Sequence, residues 1–535
     1  MDPADAATTR DCAGHIVCPG FIDLHAHGQN NESARLQAQD GVTTHLELEV
    51  GTYPVDVFLA QREALGAIIN FGSSVGHIPA RAAAISGVTV PFSVADDPCC
   101  MIETKQMSVP AHKEAATPSQ LRRLWGMLGD GLDQGGIGIG AGIVYTPGAN
   151  HTETYELAKT VAKHGVALFV HIRGRGPVGL EDFHEMFSNA ATAGASIHIC
   201  HTLSSARAAH QSGVSDLLEM ATKLNEQGID ISFEQYPYPY GMTNLRTEQS
   251  SVWNPNQLLR QVKRKDTGEI MTGPAAAQAG RTGTRLLDAV KPVSLTRKLS
   301  LAVDGSPSEV EGEVLVGGWS WLETGEFLTE ESYNKYYAQG GLSYGHWSDK
   351  EAACMDSTMA HPMVLVASDG IPFVDGAAHP RGAGTFCRFL GIWARQKKLV
   401  SWSEAIRKMT VGPALRLQRF VPMMRTKGRI QVGMDADITV FDPETVIDKA
   451  TLAEPSLPSV GVAHVLVNGV FVVDGGELCE GVLPGRAVRG QSQLTAGRDD
   501  RGGGRRAVKV QKTTSLFSSM LEGQSADFLS PEFDC

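Results

Sequence analysis

Two histidines one residue apart, His25 and His27, end an apolar segment near the start of the chain. The segment runs from Pro19 to His27, and its apolar residues predict a buried strand. Alternate residues of a strand point to the same face, so both imidazoles can bind one ion. The alternative interpretation is that one or both are hydrogen-bonded histidines in a loop.

Three later apolar segments also end on side chains that bind metals. They end at His171, His201 and Asp369. A catalytic divalent ion needs several nitrogen or oxygen ligands and an open position for water. One such segment is typical of any core, but four that end on ligand types predict a metal site.

Strands and helices alternate around these segments, as a parallel α/β sheet requires. The predicted strands are Pro19–His27, Gly41–Gly51, Phe71–Ile78, Gly135–Gly140, Val166–His171, Ser196–His201, Ile229–Tyr236 and Met363–Gly370. The predicted helices are 32–41, 119–132, 152–164, 180–193, 214–227 and 403–410. With 535 residues, the chain has room for one barrel of about 250 to 400 residues and an appendage.

Composition excludes several other classes of protein. A net charge of −12, without clustered basic residues, argues against binding to nucleic acid. We expect no membrane span, because the sequence has no run of about 18 apolar residues. The N-terminus has no signal-peptide pattern, so we expect a cytoplasmic protein.

The nine cysteines are scattered, and none forms a CxxC pair. This pattern favours reduced thiols over a disulfide framework or a zinc ribbon. Cys200 precedes His201 on a predicted strand and should face the opposite side. We therefore interpret Cys200 as a small core residue in preference to a ligand.

The sequence resembles the metal-dependent amidohydrolases, and within them the branch of D-aminoacylases and N-acyl-D-amino-acid deacylases. The resemblance covers most of residues 13 to 490 and rests on PGFIDLHAH, DGVTTHLELEVG, FVHIRGRG, ICHTLSS, FEQYPYPYG and a long block that begins at ASDG and includes HPRGAGTFCRFLG and GRIQVGMDADITVFDPETVIDKAT. It implies a (β/α)₈ barrel of the TIM type with a small flanking β domain and one or two zinc ions.

Domain boundaries follow from this resemblance and from the composition. We expect residues 1–18 to be the remnant of an N-terminal β-domain segment, apparently incomplete, and 19–427 to be the barrel, with an insertion or lid near 240–360. Residues 428–490 should complete the small β domain. Residues 491–535 should form a disordered tail, because they are rich in glycine, serine and charge.

The resemblance also implies how the ligands are shared. One ion would lie between His171, His201 and a carboxylate of the second strand, and a second, weaker ion between His25, His27 and Asp369.

The second strand offers two carboxylates for this role. His45, Glu47 and Glu49 alternate and should share an inward face. In D-aminoacylases a cysteine ligand ends this strand, and Val50 aligns with it here. We favour the adjacent Glu49 as the ligand, with Glu47 second. The alternative is that both glutamates pair with nearby lysine or arginine.

The expected activity is hydrolysis of an amide bond. In this hypothesis the ion activates water, and Asp369 accepts its proton and delivers it to the departing amine. The resemblance assigns Arg381 and Tyr236 to the substrate's carboxylate, although Leu203 stands where the family has a lysine. His77 either lines the pocket or forms a structural hydrogen bond.

Three functions remain compatible with the sequence. The first is a zinc-dependent deacylase of small N-acylated D-amino acids or related amides. The second is a cyclic-amide or carbamate hydrolase on the same barrel. The third is a non-catalytic scaffold, since a fold does not guarantee a function.

Overall fold

The chain is described here from a computed structural model. The described residues are 9–87, 110–173, 180–205, 214–244, 261–264, 270–272, 313–321, 328, 332–333, 335–336, 342–347, 352, 354–373 and 376–491. The predicted tail lies outside them from residue 492 onward. Most of the predicted insertion also lies outside them.

The first apolar segment forms two strands where the sequence predicted one. Strand β1 (Ile16–Pro19) and strand β2 (Phe21–Asp23) belong to different sheets. Gly20 separates them and packs so closely on the next strand that a Cβ here would lie 2.2 Å from the Thr43 side chain. The chain therefore changes sheets at a residue without a side chain.

The main sheet has eight parallel strands, and β2 is the first of them. The next six in sequence are β3 (Val42–Thr52), β4 (Asn70–Gly76), β5 (Ile139–Gly142), β6 (Ala167–His171), β7 (Ser196–Ile199) and β8 (Ile231–Gln235). Five strands of another sheet follow: β9 (Tyr240–Asn244), β10 (Gln261–Arg264), β11 (Ile270–Thr272), β12 (Glu313–Trp321) and β13 (Leu342–His346). The eighth barrel strand is β14 (Val364–Val366).

The eight strands pair in parallel in the order β14-β8-β7-β6-β5-β4-β3-β2. A parallel bridge between Ala26 and Gly370 joins the two ends of the sheet. The Gly28 amide also donates to the Gly370 carbonyl at 2.9 Å. The (β/α)₈ barrel predicted from the sequence is confirmed.

Helices lie between the strands. They are α1 (Asn31–Gln39), α2 (Val55–Leu65), α3 (His77–Ser86), α4 (Pro110–Lys113), α5 (Pro118–Asp133), α6 (His151–His164), α7 (Glu181–Ala193), α8 (Thr202–Ser205), α9 (Val214–Glu226), α10 (Met355–Ala360), α11 (Arg381–Phe389), α12 (Trp402–Met409) and α13 (Val411–Leu417). Shorter turns of 3₁₀ or π type are Ile143–Tyr145, Leu390–Gln396 and Pro422–Arg425. No helix within these described ranges is long and apolar enough to cross a membrane.

Local sequence explains the helix that leads into β6. The side chain of Asn150 accepts a hydrogen bond from the Glu153 amide and caps the N-terminus of α6. Gly165 ends the helix with φ of 66°, a left-handed conformation that favours glycine. The chain then enters β6, which ends on His171, as the sequence predicted.

Two antiparallel sheets flank the barrel. In the first, β1 pairs with β15 (Ile438–Phe441), followed by β16 (Val462–Val467), β17 (Val470–Asp474) and β18 (Glu477–Leu478). This sheet joins the first described residues to the C-terminal segment. In the second sheet, the strand order is β11-β10-β12-β13-β9. Its strands come between the seventh and eighth barrel strands, β8 and β14, in the sequence.

Candidate metal centre

His25 and His27 meet Asp369 where β2 and β14 lie side by side. The Nε2 atoms of the two histidines are 3.1 Å apart. Oδ1 of Asp369 lies 3.3 Å from Nε2 of His25 and 3.2 Å from Nε2 of His27. Three potential ligand atoms thus form a nearly equilateral triangle.

Glu49 of β3 joins this triangle to two further histidines. Its Oε2 lies 3.1 Å from Nε2 of His25 and 2.8 Å from Nε2 of His201. Its Oε1 lies 3.2 Å from Nδ1 of His171. One carboxylate therefore contacts histidines from three different strand ends.

The backbone of Glu49 is held by a close approach of the neighbouring strand. A Cβ on Gly140 of β5 would lie 2.6 Å from the Glu49 carbonyl oxygen and 2.4 Å from that of Leu48. The glycine-rich sequence at 135–140 therefore lets β5 approach the strand that carries the central carboxylate.

The spacing of these atoms suits a metal ion. Ligands about 2.0–2.1 Å from a tetrahedral ion lie about 3.3 Å from one another. Oε2 of Glu49 is buried and forms no hydrogen bond within the described residues, although Nε2 of His201 is only 2.8 Å away. Oε2 of Glu49 and Nε2 of His201 are thus close to each other without the angles of a hydrogen bond. Such an arrangement is expected when the lone pairs of both atoms point to one cation.

The carboxylates of Glu47 and Glu234 contact the outer ring nitrogens, Nδ1, of His27 and His25. Nδ1 of His27 lies 2.7 Å from Oε2 of Glu47, and Nδ1 of His25 lies 2.8 Å from Oε1 of Glu234. Oε1 of Glu234 also accepts from the His201 amide at 2.8 Å. Such contacts fix the ring orientation and leave Nε2 available to a metal.

The carboxylates favour positive charge on the two histidines. Burial alone would lower the pKa of His27, but Glu47 and Asp369 raise it to about 9. Burial likewise opposes charge on His25, yet Asp369 and Glu49 raise its pKa well above the usual value. The pocket therefore attracts cations.

The two central acids are held in the ionised form. Burial would raise the pKa of Glu49, but His171 and His25 hold it well below its usual value. Burial opposes ionisation of Asp369 as well, and Arg381 and His25 hold its pKa well below the usual range. Both carboxylates are thus available as ligands at neutral pH.

Unusual backbone conformations mark two of these residues. His201 has φ of 33° and Asp369 has φ of 50°. Positive φ is uncommon outside glycine and concentrates at functional sites. The sequence predicted both residues as strand ends, but β7 and β14 end before them, and the turns that follow direct the side chains to the centre.

Comparisons with known proteins find similar sequences among deacylases. A sequence model of the amidohydrolase family matches residues 336–473. An N-acyl-D-glutamate deacylase of Alcaligenes xylosoxydans xylosoxydans is 26% identical over 524 residues, which cover 92% of this chain and 90% of that protein. A D-aminoacylase of the same organism is 26% identical over 510 residues, 88% of this chain and 87% of that protein.

Solved structures show the same fold. N-acyl-D-glutamate deacylase from Bordetella bronchiseptica, complexed with zinc and a phosphonate inhibitor, has a TM-score of 0.63 at 23% identity and covers 90% of each chain. A D-aminoacylase studied for its binuclear metal centre has a TM-score of 0.63 at 22% identity, covering 91% of this chain and 92% of that chain. The chain is thus similar to these deacylases along about nine-tenths of its length and shares their fold.

Arg381 contacts Asp369 directly. Its Nη1 donates to Oδ2 of Asp369 at 2.9 Å, and its guanidinium lies 4.5 Å above the Tyr236 ring. The Nε of Arg381 is buried and has no hydrogen-bond partner among the described residues. One donor of this guanidinium thus remains for a ligand.

His77 lies elsewhere in the barrel. It begins α3, one residue beyond the end of β4, and its Nε2 lies 2.9 Å from Oε1 of Glu153. Arg81 donates to the same oxygen at 2.8 Å. The sequence left open whether His77 lines the pocket or forms a structural hydrogen bond, and these contacts agree with the hydrogen bond. They do not join His77 to the metal-ligand cluster.

Three features of the centre were missed by the sequence interpretation. Tyr145 stacks edge-on against His171, with ring centroids 5.0 Å apart, and its burial beside Glu49 raises its pKa well above the usual value. Glu234 contacts Nδ1 of His25, a role that its motif FEQYPYPYG did not indicate. His45 contacts Gln37 of α1 at 2.7 Å, and so does not accompany Glu47 and Glu49 into the cluster.

Proposed function

We propose that this protein is a zinc-dependent amidohydrolase that cleaves the amide bond of N-acyl-D-amino acids. The products are a carboxylic acid and a free amino acid. The observation that carries the proposal is the convergence of His25, Glu49 and His201 with two further histidines and Asp369 in a buried pocket. Similarity to deacylases along about nine-tenths of the chain supports the substrate class.

We assign the six side chains to two adjacent positions for ions. His25, His27 and Asp369 would hold one ion, and Glu49, His171 and His201 the other. Nitrogen and carboxylate ligands suit Zn²⁺, which the N-acyl-D-glutamate deacylase of Bordetella bronchiseptica contains. When bound, the metal supplies Lewis acidity to a water molecule and to the amide carbonyl.

Asp369 is the proton carrier in this proposal. Its Oδ1 faces the histidines and its Oδ2 faces Arg381. An ionised carboxylate at this place can accept a proton from the attacking water and pass it to the departing amine, which leaves only when protonated. Arg381 keeps the carboxylate ionised until that transfer.

Arg381 and Tyr236 form the proposed site for the substrate's carboxylate. The guanidinium is buried, lies over the Tyr236 ring and retains a donor at Nε. A carboxylate can accept hydrogen bonds from such a planar donor set. Tyr145, beside His171, is a candidate to bind the oxyanion that forms on the amide carbon.

Metal analysis followed by a substrate screen tests this proposal. Purified protein should contain at least one equivalent of zinc, and it should release free amine from N-acyl-D-amino acids much faster than from the L-enantiomers. A preparation that contains no metal and binds none would favour the non-catalytic scaffold. Ring opening of a cyclic amide without hydrolysis of any N-acyl amino acid would favour the cyclic-amide hydrolase.

A further inference from the structure

We propose that Cys200 is a thiolate ligand of the metal centre, supplied from the end of β7 next to His201. The proposal rests on the metal centre of the proposed function. Sγ of Cys200 forms a group with a nitrogen of His25 and an oxygen of Glu49 in which all three atoms lie within 4.8 Å of one another. All three residues are buried.

The geometry at the end of β7 explains why a cysteine reaches the centre. Side chains alternate only while a strand continues. Strand β7 ends at Ile199, and His201 adopts a positive φ of 33°. Cys200 and His201 are therefore no longer forced to opposite faces, and both contact the same cluster.

Hydrogen bonds from two neighbouring strands fix this dipeptide. The Cys200 amide donates to the Val170 carbonyl of β6 at 3.0 Å, next to His171. The His201 amide donates to Oε1 of Glu234 on β8 at 2.8 Å. The sulfur is thus held by backbone contacts of the barrel before any ion arrives, which reduces the entropy lost on binding.

Other potential ligand atoms lie beside this sulfur. The thiol is hydrogen-bonded to His25, and Oε2 of Glu49, in the same group, is buried without a hydrogen bond from the described residues. Zn²⁺ binds thiolate together with imidazole and carboxylate. On binding, the S–H bond breaks, its proton leaves to solvent, and the sulfur's electron pair forms the bond to the metal, so no oxidant or reductant is needed.

Cobalt substitution measures this bond directly. Metal-free protein reconstituted with Co²⁺ should show a strong near-ultraviolet absorption from thiolate-to-cobalt charge transfer. Cys200→Ser should lose that band, keep the weaker visible bands of the remaining ligands, and bind the metal at least about tenfold more weakly. Cys387→Ser is the matched control, because Cys387 is equally buried but contacts Asp40, and it should keep the band.

A measurement on the unmodified protein covers the case in which Cys200→Ser does not fold. The ¹¹³Cd resonance of the cadmium-substituted protein should have a shift characteristic of sulfur coordination. Two results would overturn the ligand role and leave the proposed function intact. The first is a cobalt-loaded protein that hydrolyses N-acyl-D-amino acids but lacks the charge-transfer band. The second is a band that survives in Cys200→Ser. Failure to bind any metal would overturn both.

Discussion

Both carboxylate oxygens of Asp369 have partners: Arg381 donates to Oδ2 at 2.9 Å, and His25 and His27 face Oδ1. The arginine proposed to bind the substrate is thus also the partner of the proposed proton carrier. A substrate carboxylate that binds Arg381 would compete for the same guanidinium. Substrate binding and the orientation of Asp369 would therefore be coupled.

Replacing Asp369 with asparagine should separate catalysis from metal binding. Asparagine keeps the size of the side chain but cannot take up a proton, so kcat should fall by about 10² to 10⁴. The ion assigned to Glu49, His171 and His201 should remain. Steady-state kinetics and metal analysis on the same preparation test this. Near-normal turnover with full metal content would exclude Asp369 as the proton carrier.

Arg381→Ala should affect both KM and kcat. KM should rise because the proposed carboxylate donor is lost, and kcat should fall by about tenfold or more because Asp369 loses the cation that orients it. Measurements of kcat and KM with one N-acyl-D-amino acid give the two effects separately. An unchanged KM would show that Arg381 does not bind the substrate.

The same helix offers a matched control. Arg388, two turns along α11, lies 4.6 Å above the Tyr238 ring and pairs with Asp448 at 3.1 Å. Arg388→Ala removes a buried arginine with the same type of contacts and should lower stability. Because its partners lie outside the metal-ligand cluster, KM for substrate should stay close to that of the unmodified enzyme.

The two glutamates of β3 should differ in their effect on metal content. Glu49 contacts His25, His171 and His201, so Glu49→Gln should weaken metal binding severely. Glu47 contacts only the outer nitrogen of His27 within this cluster, so Glu47→Gln should weaken it by about 10- to 100-fold. Metal titration of both variants compares them. A larger loss in Glu47→Gln would assign the direct ligand to Glu47.

The sequence predicted the barrel because most of its strands are short apolar segments followed by helices. It also identified the candidate ligands at or just after the ends of β2, β6, β7 and β14, since such side chains stand out against apolar neighbours. The preference for Glu49 over Glu47 agrees with the contacts of the two carboxylates, although their roles as ligands stay predictions.

The sequence predicted the presence of the strands better than the residues at which they end, and the direction of some side chains depends on those ends. Alternation assigned Cys200 to the core, and the structure buries it there. Because β7 ends one residue earlier, alternation does not by itself exclude the ligand role proposed above. It also placed His45 with Glu47, although His45 contacts α1. The pairing of Arg381 with Asp369 joins two segments through a turn, and no periodic pattern indicates such a contact.

A buried lysine should make the stability of this protein depend on pH. Lys408 is fully buried, its Nζ donates to the carbonyls of His361 and Val364, and burial lowers its pKa from 10.5 to about 7. Between these values the unfolded chain holds the proton and the folded chain does not. The free energy of unfolding should therefore rise with pH from about 7 to 10.5, by up to about 1.4 kcal/mol per unit, and the penalty for burying the charge should be greatest below about pH 7.

Lys408→Met isolates this contribution, because methionine fills a similar volume and does not titrate. Urea unfolding of both proteins at several pH values from 7 to 10 gives the difference in their free energies of unfolding. That difference should move in favour of the lysine as pH rises, since the neutral amine still donates to the two carbonyls. Parallel pH profiles would mean that Lys408 keeps its proton in the folded state and that the two carbonyls compensate for its burial.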